Sequence, residues 1–229
     1  MADISELKRQ AAEQAVEHIQ SGMVIGLGTG STAVFAVRRI GALVREGRLQ
    51  RVVGIPTAEQ TAREAERAGV PLGTLDDHPI VDITIDGADE IDPQLNLIKG
   101  LGGALLREKI VATASRRFIV VADDSKRVQQ LATRAPVPVE VVSFARRPAA
   151  DYLASLGARV VVRQRDGRPF ITDEGNLILD CTFAGLTNPQ EMAQLIRAQP
   201  GVVEHGLFLG MATEAIVAGA TRASSSMQL

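Results

Sequence analysis

Apolar residues recur with helical spacing over residues 4–20, where Leu7, Ala11, Ala15 and Ile19 form one stripe. A short apolar strand is expected at 23–27, then a glycine-rich turn at 28–32 and a helix at 33–44. The alternation repeats, with a strand at 51–55, an amphipathic helix at 57–68, and a strand at 81–85. A helix at 104–115 and a strand at 118–122 follow, the last apolar throughout, as a strand buried on both faces should be. Strands alternating with helices predict an α/β fold: a doubly wound, largely parallel sheet with helices on both sides.

The pattern changes near Leu131. Short strands are expected at 136–142, 159–162, 170–172 and 177–180, with turns at Arg165-Asp-Gly-Arg and Asp173-Glu-Gly-Asn. Helical stretches at 149–156 and 189–198 interrupt them, which describes a smaller α+β domain. Residues 206–219 are apolar again and should return to the main sheet. The expected organisation is a main α/β domain of 1–131 plus 205–229 and a small domain of 132–204. No internal repeat is visible, and 224–229 reads as a frayed tail.

Composition narrows the function classes. A chain of 229 residues with 45% hydrophobic positions can bury a sizeable core. A net charge of -2 gives no global basic field for nucleic acid, and 3% aromatics without Trp offers no base-stacking platform. Cys181 is the single cysteine and His18, His78 and His205 are scattered, so neither a disulfide framework nor a metal site is expected. The first residues lack an apolar signal core and no run reaches membrane-spanning length, so the expectation is a cytoplasmic protein with no membrane partner. Basic residues are arginine at 21 positions and lysine only at Lys8, Lys99, Lys109 and Lys126. An ammonium is a compact point charge suited to a phosphate or enolate oxygen, and Lys99 and Lys126 both adjoin loops of chemical interest.

Three loops carry that interest. Gly28-Thr29-Gly30-Ser31-Thr32 joins a strand to a helix; its N–H groups, the helix dipole and the hydroxyls of Ser31 and Thr32 suit a monophosphate. No lysine completes a Walker pattern, and no acid follows the next strand to hold a ribose diol, which disfavours a dinucleotide. Asp86-Gly87-Ala88-Asp89 lies just past a strand end, where open α/β sheets place ligands. Gly87 frees the backbone so that both carboxylates can turn to one cleft, facing hydroxyls rather than a phosphate they would repel. Lys99 opens Gly100-Leu101-Gly102-Gly103, and Glu108 sits on the following helix beside Ala104, Leu105, Val111, Ala112 and Ser115, at about 100° per residue. A carboxylate on so apolar a face is either paired in the core or lines a pocket as a general base. Asp92, before Pro93, reads as a turn former. Asp123-Asp-Ser-Lys126 marks another strand end, from which Lys126 could reach the same cleft.

These pieces, with Lys99-Gly-Leu-Gly-Gly-Ala-Leu-Leu-Arg-Glu-Lys109, Ala122-Asp-Asp-Ser-Lys126 and Pro136-Val-Pro-Val-Glu-Val, occur in one order over nearly the whole chain. In this the chain resembles ribose-5-phosphate isomerase of the A type. The resemblance implies an intramolecular oxidoreductase that interconverts D-ribose 5-phosphate and D-ribulose 5-phosphate without metal or organic cofactor. Glu108 would be the proton acceptor, Asp86 and Asp89 would bind sugar hydroxyls and help open the ring, and Lys99 with the 100–103 turn would steady the enediolate. Residues 29–32, Lys126 and Lys8 would contact substrate and phosphate. The resemblance also implies a doubly wound domain with a small α+β domain, assembled as a homodimer or homotetramer. Leu101 stands where many members carry glycine; it would be strained if φ must be positive there and harmless if it only donates its N–H. The 55–61 loop is less serine-rich than in some relatives, leaving open whether it makes any contact.

Two other readings fit the sequence less well. A deaminase or lactonase acting on hexose phosphates would lean on a histidine near the glutamate, and none lies between His78 and His205. A sugar-phosphate-sensing regulator domain would want an attached helix-turn-helix and would have no need of Glu108.

Overall fold

The computed structural model describes residues 4–219 and, over 222–228, the backbone course alone. In chain order the first half comprises α1 (Ile4–Val16), β1 (Val24–Leu27), α2 (Ala33–Arg45), β2 (Val53–Pro56), α3 (Glu59–Ala68), β3 (Ile83–Asp86), β4 (Glu90–Ile91), β5 (Leu97–Ile98), α4 (Leu105–Thr113) and β6 (Phe118–Asp123). The second half comprises β7 (Val137–Val141), α5 (Arg146–Ser155), β8 (Arg159–Val162), β9 (Gln164–Arg165), β10 (Arg168–Pro169), β11 (Leu177–Thr182), α6 (Pro189–Ala198), β12 (Val202–His205), β13 (Leu207–Phe208), β14 (Glu214–Gly219) and β15 (Arg222–Gln228). The chain packs into two units, the first running to Ala88 with Arg107–Lys126 and the segment from Gly210 onward, the second Asp89–Leu106 with Arg127–Leu209.

The first unit is built on a six-stranded sheet of order β15-β14-β6-β3-β1-β2. Its five strands from β14 to β2 are parallel, and β15 is an antiparallel edge. Alternate residues Ile25 and Leu27, Ile83 and Ile85, Ile119 and Val121 pack in one core with Ala11, Ala15, Val37, Ile40 and Ala65 of the first three helices. The expected α/β architecture is therefore present, and the apolar stripe of the first helix is what docks it. Residues 224–228, expected to fray, instead supply most of β15, with Gln228 opposite Glu214. The outer edge of β14 offers a row of backbone donors and acceptors, and pairing satisfies them. Leu229 lies outside the described residues.

The second unit holds a four-stranded antiparallel sheet, β12-β7-β11-β8, a three-stranded sheet, β13-β5-β4, and the β9–β10 hairpin. Strands β4, β5 and β13 are two residues each, too short to show any alternation in the sequence. A strand was expected at 170–172, but Asp166 and Gly167, both at positive φ, close a two-residue hairpin with Arg165 opposite Arg168. That leaves Phe170 beyond its end, and Ile171 makes only an isolated bridge to Leu177. Glu90 is buried and accepts the N–H groups of Ala132, Arg134 and Ala135, tying β4 to the loop before β7. Cys181 is buried, which pushes its thiol up to about 12 and leaves it neutral and unreactive.

Glu140, in β7, is buried and accepts from Thr172 Oγ1 at 2.8 Å and Asn176 Nδ2 at 2.9 Å. Desolvation raises its pKa above the ordinary glutamate value, against the two hydrogen bonds. The folded chain thus holds this proton more tightly than the unfolded chain. The associated stability is complete below the ordinary glutamate value and is lost as pH rises through the raised one. Glu140→Gln should remove this part of the decline, read as a flatter dependence of Tm on pH; parallel Tm–pH curves for parent and variant would contradict it.

Candidate active site

In the first unit the chain leaves β1 for β2 on one side and later returns to β3 on the other, so β1 and β3 flank the topological switch point. Loop 28–32 follows β1 and residues 87–88 follow β3. The sequence-expected phosphate loop and first carboxylate are therefore neighbours by sheet order. Asp86 Oδ1 accepts the N–H of Thr29 at 3.0 Å and of Gly87 at 2.7 Å. Gly28 makes this approach possible, because a Cβ there would lie 2.5 Å from the Asp86 Cα. Thr29 Oγ1 is within 2.8 Å of Thr57 Oγ1 and 2.7 Å of Thr61 Oγ1, and those two hydroxyls donate to the carbonyls of Leu27 and Gly28. Thr57 and Thr61, from the segment after β2, thus form a hydroxyl scaffold under loop 28–32.

Lys8 Nζ donates to Ser31 Oγ at 2.9 Å, so the N-terminal lysine reaches the loop at the start of α2. Gly30 and Ser31 are exposed, and Thr32, though buried, makes no side-chain cap bond to the helix. At the end of β6, Asp123 is buried and accepts from Ser125 N and Oγ, which turns the chain into the short 3₁₀ segment Asp124–Lys126 carrying Lys126. The ordering role of Asp123 was not foreseen.

Glu108 is 5% exposed, as its apolar surroundings in the sequence led one to expect. Its height along the sheet follows from α4. Ala114 and Arg116 bond Val81, Ser115 Oγ meets Thr84 Oγ1 at 2.6 Å, and Val111 packs where a Gly26 side chain would point. The helix therefore runs opposite to the strands, with Val111 level with Gly26 and its neighbour Thr84. Three residues earlier on the same stripe, Glu108 lies about 4.5 Å further along. Strands rise ~3.3 Å per residue, so Glu108 lies beyond Val111 toward the C-terminal end of β3.

The second unit carries Asp89, Lys99 and the glycine turn. Asp89 Oδ2 accepts the N–H of Leu101 at 2.9 Å. Leu101 is not at positive φ, whereas Gly100 is (102°), so Leu101 is an unstrained donor. Lys99 is 2% exposed, its Nζ 5.5 Å from the centre of the Phe208 ring. Arg163, which the sequence did not single out, donates from Nη1 to the carbonyls of Gly100 (2.7 Å) and Leu101 (3.0 Å). Asp180 holds the other edge of the same guanidinium. Gly102 is exposed beside them. Nothing distinguishes Arg163 from the other arginines in sequence; only the antiparallel pairing of β8 with β11 brings it to Asp180.

Among the described residues no helix is long and apolar enough to cross a membrane. The family model for ribose 5-phosphate isomerase A (phosphoriboisomerase A) matches residues 53–222. The chain is 58% identical to the ribose-5-phosphate isomerase A of Roseiflexus castenholzii over 93% of its own length and 91% of that protein's. It superposes with a TM-score of 0.95 and 40% identity on the ribose 5-phosphate isomerase of Plasmodium falciparum, covering 98% and 99% of the two chains. A D-ribose-5-phosphate isomerase in complex with phospho-erythronic acid gives a TM-score of 0.96 at 36% identity, covering both chains fully.

Proposed function

The chain belongs to the ribose 5-phosphate isomerase A family, and we propose that its reaction runs through an enediolate with Glu108 as proton acceptor. Ribose-5-phosphate isomerase activity on a sugar phosphate is what membership establishes. The reaction class is isomerase, a better description than the intramolecular oxidoreduction expected from sequence. The observation that carries the finer reading is the burial of the Glu108 carboxylate in the first turn of a helix that begins toward the C-terminal end of β3.

Glu108 takes the proton from C2 of the open aldehyde and electrons move onto the carbonyl oxygen to give the enediolate; the hydroxyl proton of O2 passes to O1, and the same carboxyl returns its proton to C1 as the C2 carbonyl forms. Asp86, held by the N–H groups of Thr29 and Gly87, and Asp89, held by that of Leu101, accept sugar hydroxyls and assist ring opening. Lys99 and the N–H groups of the 100–102 turn offset charge on the developing oxyanion. The phosphate is taken by the N–H groups and hydroxyls of residues 29–32 at the start of α2, with Lys8 and Lys126 supplying charge. Gly87 and Ala88 line the hydroxyl end. No metal or organic cofactor enters this scheme. The reading includes assembly as a homodimer or homotetramer, which would cover apolar surface such as the fully exposed Phe144.

A proton carried by a carboxylate can exchange with solvent, whereas a hydride passed directly from C2 to C1 cannot. Turnover of ribose 5-phosphate in D2O should therefore leave deuterium at C1 of the ketose, seen by NMR. A ketose free of deuterium after many turnovers would end the enediolate reading.

A further inference from the structure

The guanidinium of Arg163 bridges two successive carbonyls of the glycine turn, those of Gly100 and Leu101, while its Nε and Nη2 are engaged by Asp180. Its side chain is 11% exposed, so the charge acts in a medium that screens it poorly. The backbone is fixed as well, with the Arg163 N–H bonded to Ile178 and its carbonyl to Phe170. Among the described residues no peptide is cis. In a trans peptide the N–H points opposite to the C=O. With both carbonyls turned to Arg163, the N–H groups of Leu101 and Gly102 must point to the other side, where that of Leu101 meets Asp89. Successive N–H groups aimed the same way make an anion-binding nest, and the positive φ of Gly100 permits it. A cation on a carbonyl oxygen polarises the whole peptide group and strengthens its N–H as a donor.

We propose that Arg163, locked by Asp180, is a positioning residue for the isomerisation: it holds the Gly100–Leu101 carbonyls so that the Gly102 N–H presents a polarised donor to the enediolate oxygen and the Leu101 N–H orients Asp89. This rests on the reading that the glycine turn serves the oxyanion. The effect belongs to the transition state, because charge on that oxygen develops only there. Arg163→Ala should lower kcat by about 10- to 100-fold, the range for losing a charge-assisted hydrogen bond, with KM near the parent's. Phospho-erythronic acid, used as an anionic probe, should bind more weakly in the same variant. Added guanidinium chloride at millimolar levels should restore part of the kcat in Arg163→Ala and none in the parent. Arg163→Lys should stay impaired, since a point charge cannot pair with Asp180 and bridge two carbonyls together; it also serves should the alanine variant fail to fold.

Parental kcat in either Arg163 variant would overturn the proposal. So would a kcat loss that guanidinium leaves untouched while affinity for phospho-erythronic acid is unchanged, since that pattern marks a purely structural ion pair. Gly102→Pro removes one N–H and leaves both carbonyls. Parental turnover by that variant would refute the oxyanion role of the turn itself, whereas impaired Gly102→Pro beside unimpaired Arg163 variants would refute only the role of Arg163.

Discussion

Glu108→Gln leaves an enzyme that still binds ribose 5-phosphate but turns it over about 10²–10⁴-fold more slowly, the contribution of a positioned general base. The amide keeps the size and most of the polarity of the side chain, so α4 should stay docked through Val111 and Ser115. What it cannot do is accept a proton from carbon. The loss should therefore fall on kcat, with KM nearly constant, and deuterium incorporation from D2O should slow in step with it. Steady-state kinetics in both directions checks this. A variant within a few-fold of parental kcat would remove Glu108 from its proposed role and return it to the status of a buried, paired core glutamate.

Removing the ammonium of Lys99 should be the next most damaging change, with kcat reduced by about 10²–10³-fold, as for one oxyanion-stabilising donor. Lys99 is among the largest fully buried side chains of the described residues, so its stem fills space as well as carrying charge. Lys99→Ala confounds the two through a cavity costing on the order of 2–5 kcal/mol. Lys99→Met keeps the volume against Phe208 and deletes only the charge, and should match Lys99→Ala in kcat while retaining the parental Tm. By contrast Lys126→Ala should raise KM and leave kcat largely intact, because phosphate binding is shared by ground and transition states. Equal kcat for Lys99→Met and the parent would show that the lysine is there for packing alone.

Much of the candidate site was readable because its signals are local. A strand end followed by Gly28-Thr29-Gly30 or by Asp86-Gly87 announces itself within a few residues, and open parallel sheets bind ligands at such ends. The burial of Glu108 was legible for the same reason, since helical geometry assigns its neighbours from residues at most seven positions away. The ambiguity at Leu101 could not be resolved that way. Its φ depends on how the turn is held, and the turn is held by Asp89 on the N–H side and Arg163 on the carbonyl side.

Local pattern alone specifies the kinds of element, the candidate loops and, through several loops in one order, the family. Periodicity and turn chemistry are short-range, and they survive without knowledge of partners. Only tertiary structure decided which strands pair. It drew residues 89–106 into the second unit although the chain on either side belongs to the first, turned the C-terminal segment into an edge strand, and set Thr57 and Thr61 beneath Thr29. It also selected Arg163 from 21 arginines, because its value comes from a carboxylate seventeen residues on and two carbonyls more than sixty residues back. Contacts at that separation leave no mark in any window of sequence; they exist only once the sheet register has closed the loop joining them.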